Sequence, residues 1–231
     1  MNMLMRFFQR FSSPKALEST SALAYRIQRE QELLPFDLLG RSLSYNPYPP
    51  RFKEIFPTLD SPRGLLVKGF VFDELESIVA HIHAHKAQII VLDMARDSSA
   101  NPSGEGLECI GYLRHYTTAL IVLKDSFIDP YQILQAVVYG ADGVVLDSSS
   151  RGHKALLEFA FRLNCMSFCA IATLKEIKQA VLAKTEGFFI DDGVYDEFAT
   201  LLPKSKCICH YVGADAPKRA STSADFMCVQ V

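Results

Sequence analysis

The sequence carries almost no excess of one charge: 24 Lys and Arg stand against 26 Asp and Glu in 231 residues, a formal charge of −2. That removes the broad positive field on which binding to nucleic acid or to an anionic membrane draws. It also lacks any apolar run near the roughly 18 residues a bilayer span requires, so it reads as a soluble chain. Its six cysteines contain no Cys-x-x-Cys, and a chain of this length does not need disulfide staples. Cys165 to Cys169 and Cys207 to Cys209 lie in apolar stretches and read as free buried thiols of a cytoplasmic protein. No low-complexity tract and no Gly/Ser linker is present. What is there is a globular balance, 49% hydrophobic and 22% charged, which argues against disorder. The apolar opening, Met1 to Phe11, is broken by Arg6, Gln9 and Arg10, so it is no secretory core; a lead-in or docking helix is expected.

The one irregular stretch, Pro35 to Pro62, contains Asn46-Pro-Tyr-Pro-Pro50 and Pro57, and separates a helical N-terminal part from the rest. From about Gly64 a single rhythm repeats, in which a short run of β-formers precedes a capped amphipathic segment. The runs are Leu65–Lys68, Gln88–Asp93, Leu120–Lys124, Gly143–Asp147, Met166–Ile171, Gly187–Ile190, Lys206–His210 and Asp225–Val229. Continuous apolar runs, rather than alternation, predict strands covered on both faces. Between them, Asp73-Glu-Leu-Glu76, Asp129-Pro-Tyr-Gln132 and Thr173-Leu-Lys-Glu176 are capping boxes opening helices. Leu156, Leu157, Ala160 and Phe161 mark another helix, stopping at Asn164. Buried strands alternating with helices imply a parallel sheet, either closed as a (β/α)8 barrel or doubly wound. Some helices must be short, and the chain stops at Val231, directly after the eighth run.

The stretch Val122-Leu-Lys-Asp-Ser-Phe-Ile-Asp-Pro-Tyr-Gln-Ile133, followed by Gly140-Ala-Asp-Gly-Val-Val-Leu146, resembles indole-3-glycerol phosphate synthase. Weaker likeness extends through Pro50 to Phe56, Asp73 to Asp93 and Leu202-Pro-Lys204. The resemblance implies a (β/α)8 TIM barrel over 64–231 with an N-terminal helical and proline-rich extension, 1–63, packed on it. It also implies a lyase of tryptophan biosynthesis. In that family a third-strand lysine acts as general acid on a carboxyphenylamino-deoxyribulose phosphate, and decarboxylative ring closure and dehydration follow; it maps to Lys124. A second functional lysine of the first strand maps to Lys68. Both would stand at C-terminal strand ends, where barrel chemistry sits.

Other family positions have changed. The first-strand acid is Leu66 and the fifth-strand basic Glu is Ala170. The sixth-strand Asn-Asn-Arg is Asp191-Asp192-Gly193, and the seventh-strand Ser-Glu-Ser-Gly is His210-Tyr211-Val212-Gly213. Asp191 and Gly213 remain the candidate substrate-binding positions. The Ser-Pro-Ser loop after the first strand is replaced by Gly69 to Phe72, and the eighth-strand phosphate loop has no counterpart after Cys228 to Val231. Asp93, Asp125, Asp147, Asp191 and Asp192 would crowd the strand ends, and Lys68 and Lys124 are expected to be partly neutralised by neighbours such as Asp93 and Asp125.

The remaining constellations read more plainly. His81 and His85 share a helical face at zinc-pair spacing, but on the outer wall with no third ligand, so a solvated face is expected. The strand-end acids could hold a magnesium-type cation, yet such acids are common without metal. Gly140 to Gly143 is a turn into a strand, and Gly104-Glu-Gly106 a helix lead-in. Ser13 to Leu34, with Leu23, Ile27 and Leu34 on one face, is expected to plug the barrel. No cofactor and no metal is called for, a small phosphorylated metabolite is the expected partner, and the oligomeric state stays open. Three functions follow: an indole-3-glycerol phosphate synthase using Lys124 and Lys68, a degenerate barrel kept for binding or regulation, and a different lysine-dependent lyase or aldolase.

Overall fold

The computed structural model describes residues 14–68, 74–94, 105–148, 152–213 and 224–231. Its centre is a closed barrel in which every strand pairs in parallel with the next in sequence, and the last with the first. The strands are β1 (Arg63–Lys68), β2 (Ile89–Asp93), β3 (Leu120–Lys124), β4 (Gly143–Asp147), β5 (Met166–Ile171), β6 (Gly187–Asp191), β7 (Cys207–Val212) and β8 (Phe226–Gln230). All eight expected runs are strands, and closure replaces the open-sheet alternative. The helices are α1 (Pro14–Leu33), α2 (Phe36–Arg41), α3 (Phe52–Ile55), α4 (Leu75–His85), α5 (Glu105–Tyr116), α6 (Pro130–Val138), α7 (His153–Arg162), α8 (Leu174–Leu182) and α9 (Asp192–Phe198).

Local sequence explains the helix ends. Asp129 accepts from Tyr131 N at 2.8 Å while Gln132 Oε1 accepts from Asp129 N at 3.1 Å, a reciprocal cap with Pro130 at the first helical position. Thr173 and Glu176 do the same for α8. The box expected at Asp73 lies outside the described residues, and α4 begins after Glu74 without a side-chain cap. Asn164, at φ 56°, ends the connection after α7 in the left-handed region that favours Asn and Gly.

Strand alternation divides the core in two. One set of side chains, among them Leu92, Leu123, Leu146 and Ile190, faces the helices and forms the outer layer. The alternate set, including Leu66, Val91, Val122, Val145, Phe168, Phe189, Cys209 and Cys228, fills the barrel interior. The interior is a packed core, not a pore.

The extension divides its work. α1 was expected to plug the barrel, and the structure corrects this. Ile27 joins Leu39, Tyr131 and Leu134 in a cluster outside the barrel wall, so α1 packs along α6, and Leu34 remains 42% exposed. The bottom is closed instead by the proline-rich segment. Phe52, 1% exposed, packs 5.5 Å from the Phe168 ring and 6.4 Å from that of Phe226, with Phe56 stacked on it at 4.9 Å. A buried ionic knot fixes this segment. Asp142 Oδ1 accepts from Arg114 Nη1 at 2.7 Å and from Arg51 Nε at 3.3 Å, and Oδ2 accepts from Ile121 N at 2.8 Å. Arg114 also donates to Pro49 O at 3.0 Å. The Gly-Ala-Asp turn is therefore also the lock on the cover. Gly140 takes φ 102°, which a side chain resists.

Candidate active site at the barrel mouth

The inward set of each strand ends at the C-terminal rim, and there the side chains change from apolar to polar. Two residues beyond Leu66 stands Lys68, beyond Val91 stands Asp93, beyond Val122 stands Lys124 and beyond Val145 stands Asp147. Ala170, Asp191, Tyr211 and Gln230 continue the ring. The register sets Lys68 opposite Asp93 and Asp93 opposite Lys124 on adjacent strands. Both expected lysines thus share one rim, with a carboxylate between them.

That carboxylate is nearly engulfed. The Asp93 side chain is 6% exposed and accepts from Lys124 Nζ at 2.5 Å, and the Lys124 side chain is 28% exposed. The expected neutralisation of Lys124 is present, with Asp93 as partner. Asp125 plays no such part. Its Oδ1 accepts from Ser126 N at 2.7 Å, and burial pushes its carboxyl up to about 6. Lys68 is solvent-exposed, and its ammonium lies 5.1 Å from the centre of the Tyr211 ring. Its pKa is raised above the usual lysine value, first by Tyr211 and further by Asp93 and Asp191, with burial opposing. Lys68 therefore stays protonated, a cation rather than a nucleophile.

The candidate binding positions fare differently. Asp191 reaches the rim, but its Oδ1 accepts from Gly193 N at 3.0 Å and so caps α9. A Cβ placed on Gly213 would meet no atom of the described residues within 4 Å. Gly69 to Phe72 and Ala214 to Ser223 lie outside the described residues. Ala170 contributes only a methyl group to the rim, which carries Asp93, Asp147 and Asp191 against Lys68 and Lys124.

Sequence reasoning missed two rim residues. Tyr211, 9% exposed, stacks on Phe189 at 5.8 Å and donates through its hydroxyl to Gln230 Oε1 at 2.6 Å. The signal was the parity of β7: if Cys207 and Cys209 face in, so does Tyr211. Its neighbour His210 faces out, buried, stacked on Tyr195 at 3.8 Å with Nε2 3.0 Å from Asp192 Oδ1. A second buried pair lies behind β5, where Cys169 Sγ is 3.2 Å from His153 Nε2. Burial pushes that thiol up to about 12, so it does not supply a thiolate. All six cysteines are free. The histidines at 81 and 85 stack at 6.3 Å on the exposed face of α4. Among the described residues no group of three His, Cys, Asp or Glu could hold a metal, and no helix is long and apolar enough to cross a membrane.

Curated relatives are similar over most of the chain. Indole-3-glycerol phosphate synthase of Campylobacter hominis is 30% identical over 205 residues, covering 79% of this chain and 78% of that protein. The enzyme of the same description from Campylobacter jejuni is 28% identical over 203 residues, covering 78% of each. That of Sulfurimonas denitrificans is 24% identical over 176 residues, covering 69% of this chain and 65% of that protein. No protein-family model matches the chain. Among solved structures, a 4-hydroxy-2-oxoglutarate aldolase/2-deydro-3-deoxyphosphogluconate aldolase from TTHB1 superposes with a TM-score of 0.55 at 12% identity, covering 74% of this chain and 84% of that one. A structure described as native KDPGal also gives a TM-score of 0.55, at 13% identity over 74% of this chain and 82% of that one. At those identities the likeness establishes the barrel alone.

Proposed function

Because the chain belongs to the indole-3-glycerol phosphate synthase family, we propose that it is a degenerate member, a barrel that keeps its mouth as a small-molecule binding site and no longer closes the indole ring. The observation that carries this reading is the exchange of charges around the rim. The position aligned with the family's catalytic base is Ala170, while Lys124 is held by Asp93 at 2.5 Å. The family's substrate needs a proton taken and a proton given in step, and it brings a phosphate and a carboxylate. Here the proton acceptor is a methyl group. At an effective dielectric of about 20, each acid within about 4 Å of an anion opposes it by roughly 4 kcal/mol. Asp93, Asp147 and Asp191 outnumber the two lysines facing them.

Purified protein incubated with the carboxyphenylamino-deoxyribulose phosphate is expected to release indole product no faster than buffer, followed by indole fluorescence. A second reading, weak synthase activity with Lys124 as acid and Lys68 as helper, draws on both ammonium groups standing at the mouth. Turnover above buffer that disappears in Lys124→Ala would establish that reading and overturn the first.

A further inference from the structure

Three of the chain's six histidines, His81, His83 and His85, stand on α4, and all three are exposed. The helix buries Leu75, Ile78 and Ile82 against the barrel, so its histidines fall on the two flanks of that stripe. At about 100° per residue, His81 and His85 lie roughly 40° apart on one flank and His83 lies on the other. The rings of His81 and His85 stand 6.3 Å apart and within 7° of parallel. A second observation concerns the ring nitrogens. His81 Nδ1 is 2.8 Å from the Ser77 carbonyl oxygen one turn earlier. A carbonyl oxygen only accepts, so Nδ1 carries the hydrogen, and the neutral ring keeps its lone pair on Nε2. One ring nitrogen tied to a carbonyl and the other left as a donor pair is how metal-bound histidines are held in orientation.

We propose that His81 and His85 form a two-imidazole chelate on the outer wall of the barrel, and that it takes a borderline divalent transition ion, Cu2+ ahead of Ni2+ and Zn2+. The site lies away from the mouth and does not rest on the function proposed for it. His81 ligates through Nε2 and His85 through the ring nitrogen that faces it. At metal–nitrogen distances of about 2.0–2.1 Å, two imidazole centres sharing a tetrahedral ion stand roughly 5 Å apart. The pair therefore closes by about 1 Å, which small rotations of two exposed side chains supply. Two protein ligands leave the remaining positions to water. The ion exchanges readily, and the site is an open chelate, not a structural centre, in keeping with the lack of a third ligand among the described residues. Mg2+ and Ca2+ seek oxygen and gain nothing from imidazole. An ion held at 81 and 85 spans one turn of α4, so its binding adds to the stability of the folded chain.

The probes are the metal salts alone, titrated into the full chain without an affinity tag and followed by calorimetry. Ni2+ is expected to bind saturably, with Cu2+ tighter than both Ni2+ and Zn2+. Mg2+ in about hundredfold excess leaves Ni2+ binding unchanged, which separates the imidazoles from the acids of the rim. His81→Ala and His85→Ala each weaken Ni2+ by about tenfold or more, because either change turns a chelate into a single ligand. His83→Ala, on the other flank of α4, stays within about twofold of the parent chain. Saturating Ni2+ raises the melting temperature of the parent and of His83→Ala, and of neither other variant. All three side chains are exposed, and circular dichroism checks that each variant folds. Absence of saturable Ni2+ binding, displacement by Mg2+, binding unchanged in both His81→Ala and His85→Ala, or His83→Ala as damaging as either overturns the proposal.

Discussion

At the residue scale, burial decides what each ionisable group can do. Asp93 ends β2 and Asp125 follows β3, neighbouring strand-end carboxylates with opposite settings. Asp93 keeps a cation at 2.5 Å, whereas burial raises Asp125 to about 6. An acid whose folded pKa lies above its unfolded value binds more protons in the folded state across the interval between them. Stability contributed by that proton is full below the unfolded value near 3.8 and is lost as pH rises through about 6. Asp125→Asn is therefore expected to gain about 1–2 kcal/mol at pH 8 and nothing near pH 4, flattening the fall of stability with pH. Urea denaturation at several pH values checks it, and a gain of equal size at both extremes contradicts it. Lys124 was legible from the sequence because a dozen residues around it share register with a known family. Its partner was legible too, since strand ends rich in acid stand beside strand ends carrying lysine. The inward face of Tyr211 follows from the parity of β7, but its bond to Gln230 was not legible, because it depends on how β7 and β8 pair, which no local pattern records.

At the element scale, the strands were readable because each is a continuous apolar run, and the helices because their caps are written in the chain. α6 shows both, with Asp129, Pro130 and Gln132 opening it. The role of α1 was misread. An apolar stripe says that a helix is covered but not by what, and Tyr131 on α6, bonded through its hydroxyl to Leu34 O at 2.9 Å, claims it before the barrel floor can. Contacts between neighbouring strands set finer limits. Gly64 sits opposite Cys228, and a Cβ there would overlap Cys228 Sγ and stand 3.1 Å from Met227 O. Gly64→Ala is expected to cost about 1–3 kcal/mol through overpacking. Adding Cys228→Ala removes the sulfur, so the pair should be less damaging than the two single changes summed, by about 0.5 kcal/mol or more. A chemical-denaturation double-mutant cycle with no coupling would place the strain elsewhere.

At the scale of the whole molecule, the barrel and its N-terminal cover are joined at a few buried points. Asp142 is fully buried and carries Arg51 and Arg114; Arg114 in turn donates to the Pro49 carbonyl and Arg51 to that of Ala119. Asp142→Ala would strand two guanidinium groups beside one another and is expected to cost about 3–5 kcal/mol in guanidinium or urea unfolding. A loss below about 1 kcal/mol would mean that water replaces the carboxylate freely. The fold as a whole followed from rhythm and family likeness together, since the rhythm alone allowed an open sheet. What the chain binds follows from neither.

The seam of the barrel gives this arrangement a further sense. Every strand pairing joins sequence neighbours except that of β1 with β8, which brings Arg63 beside Met227. The polar trio on the rim spans that same seam, drawing on β1, β7 and β8. Lys68, Tyr211 and Gln230 therefore sit where the first turn of the ring is stitched to the last, so the polar character of the mouth and the integrity of the seam are written in the same three strands.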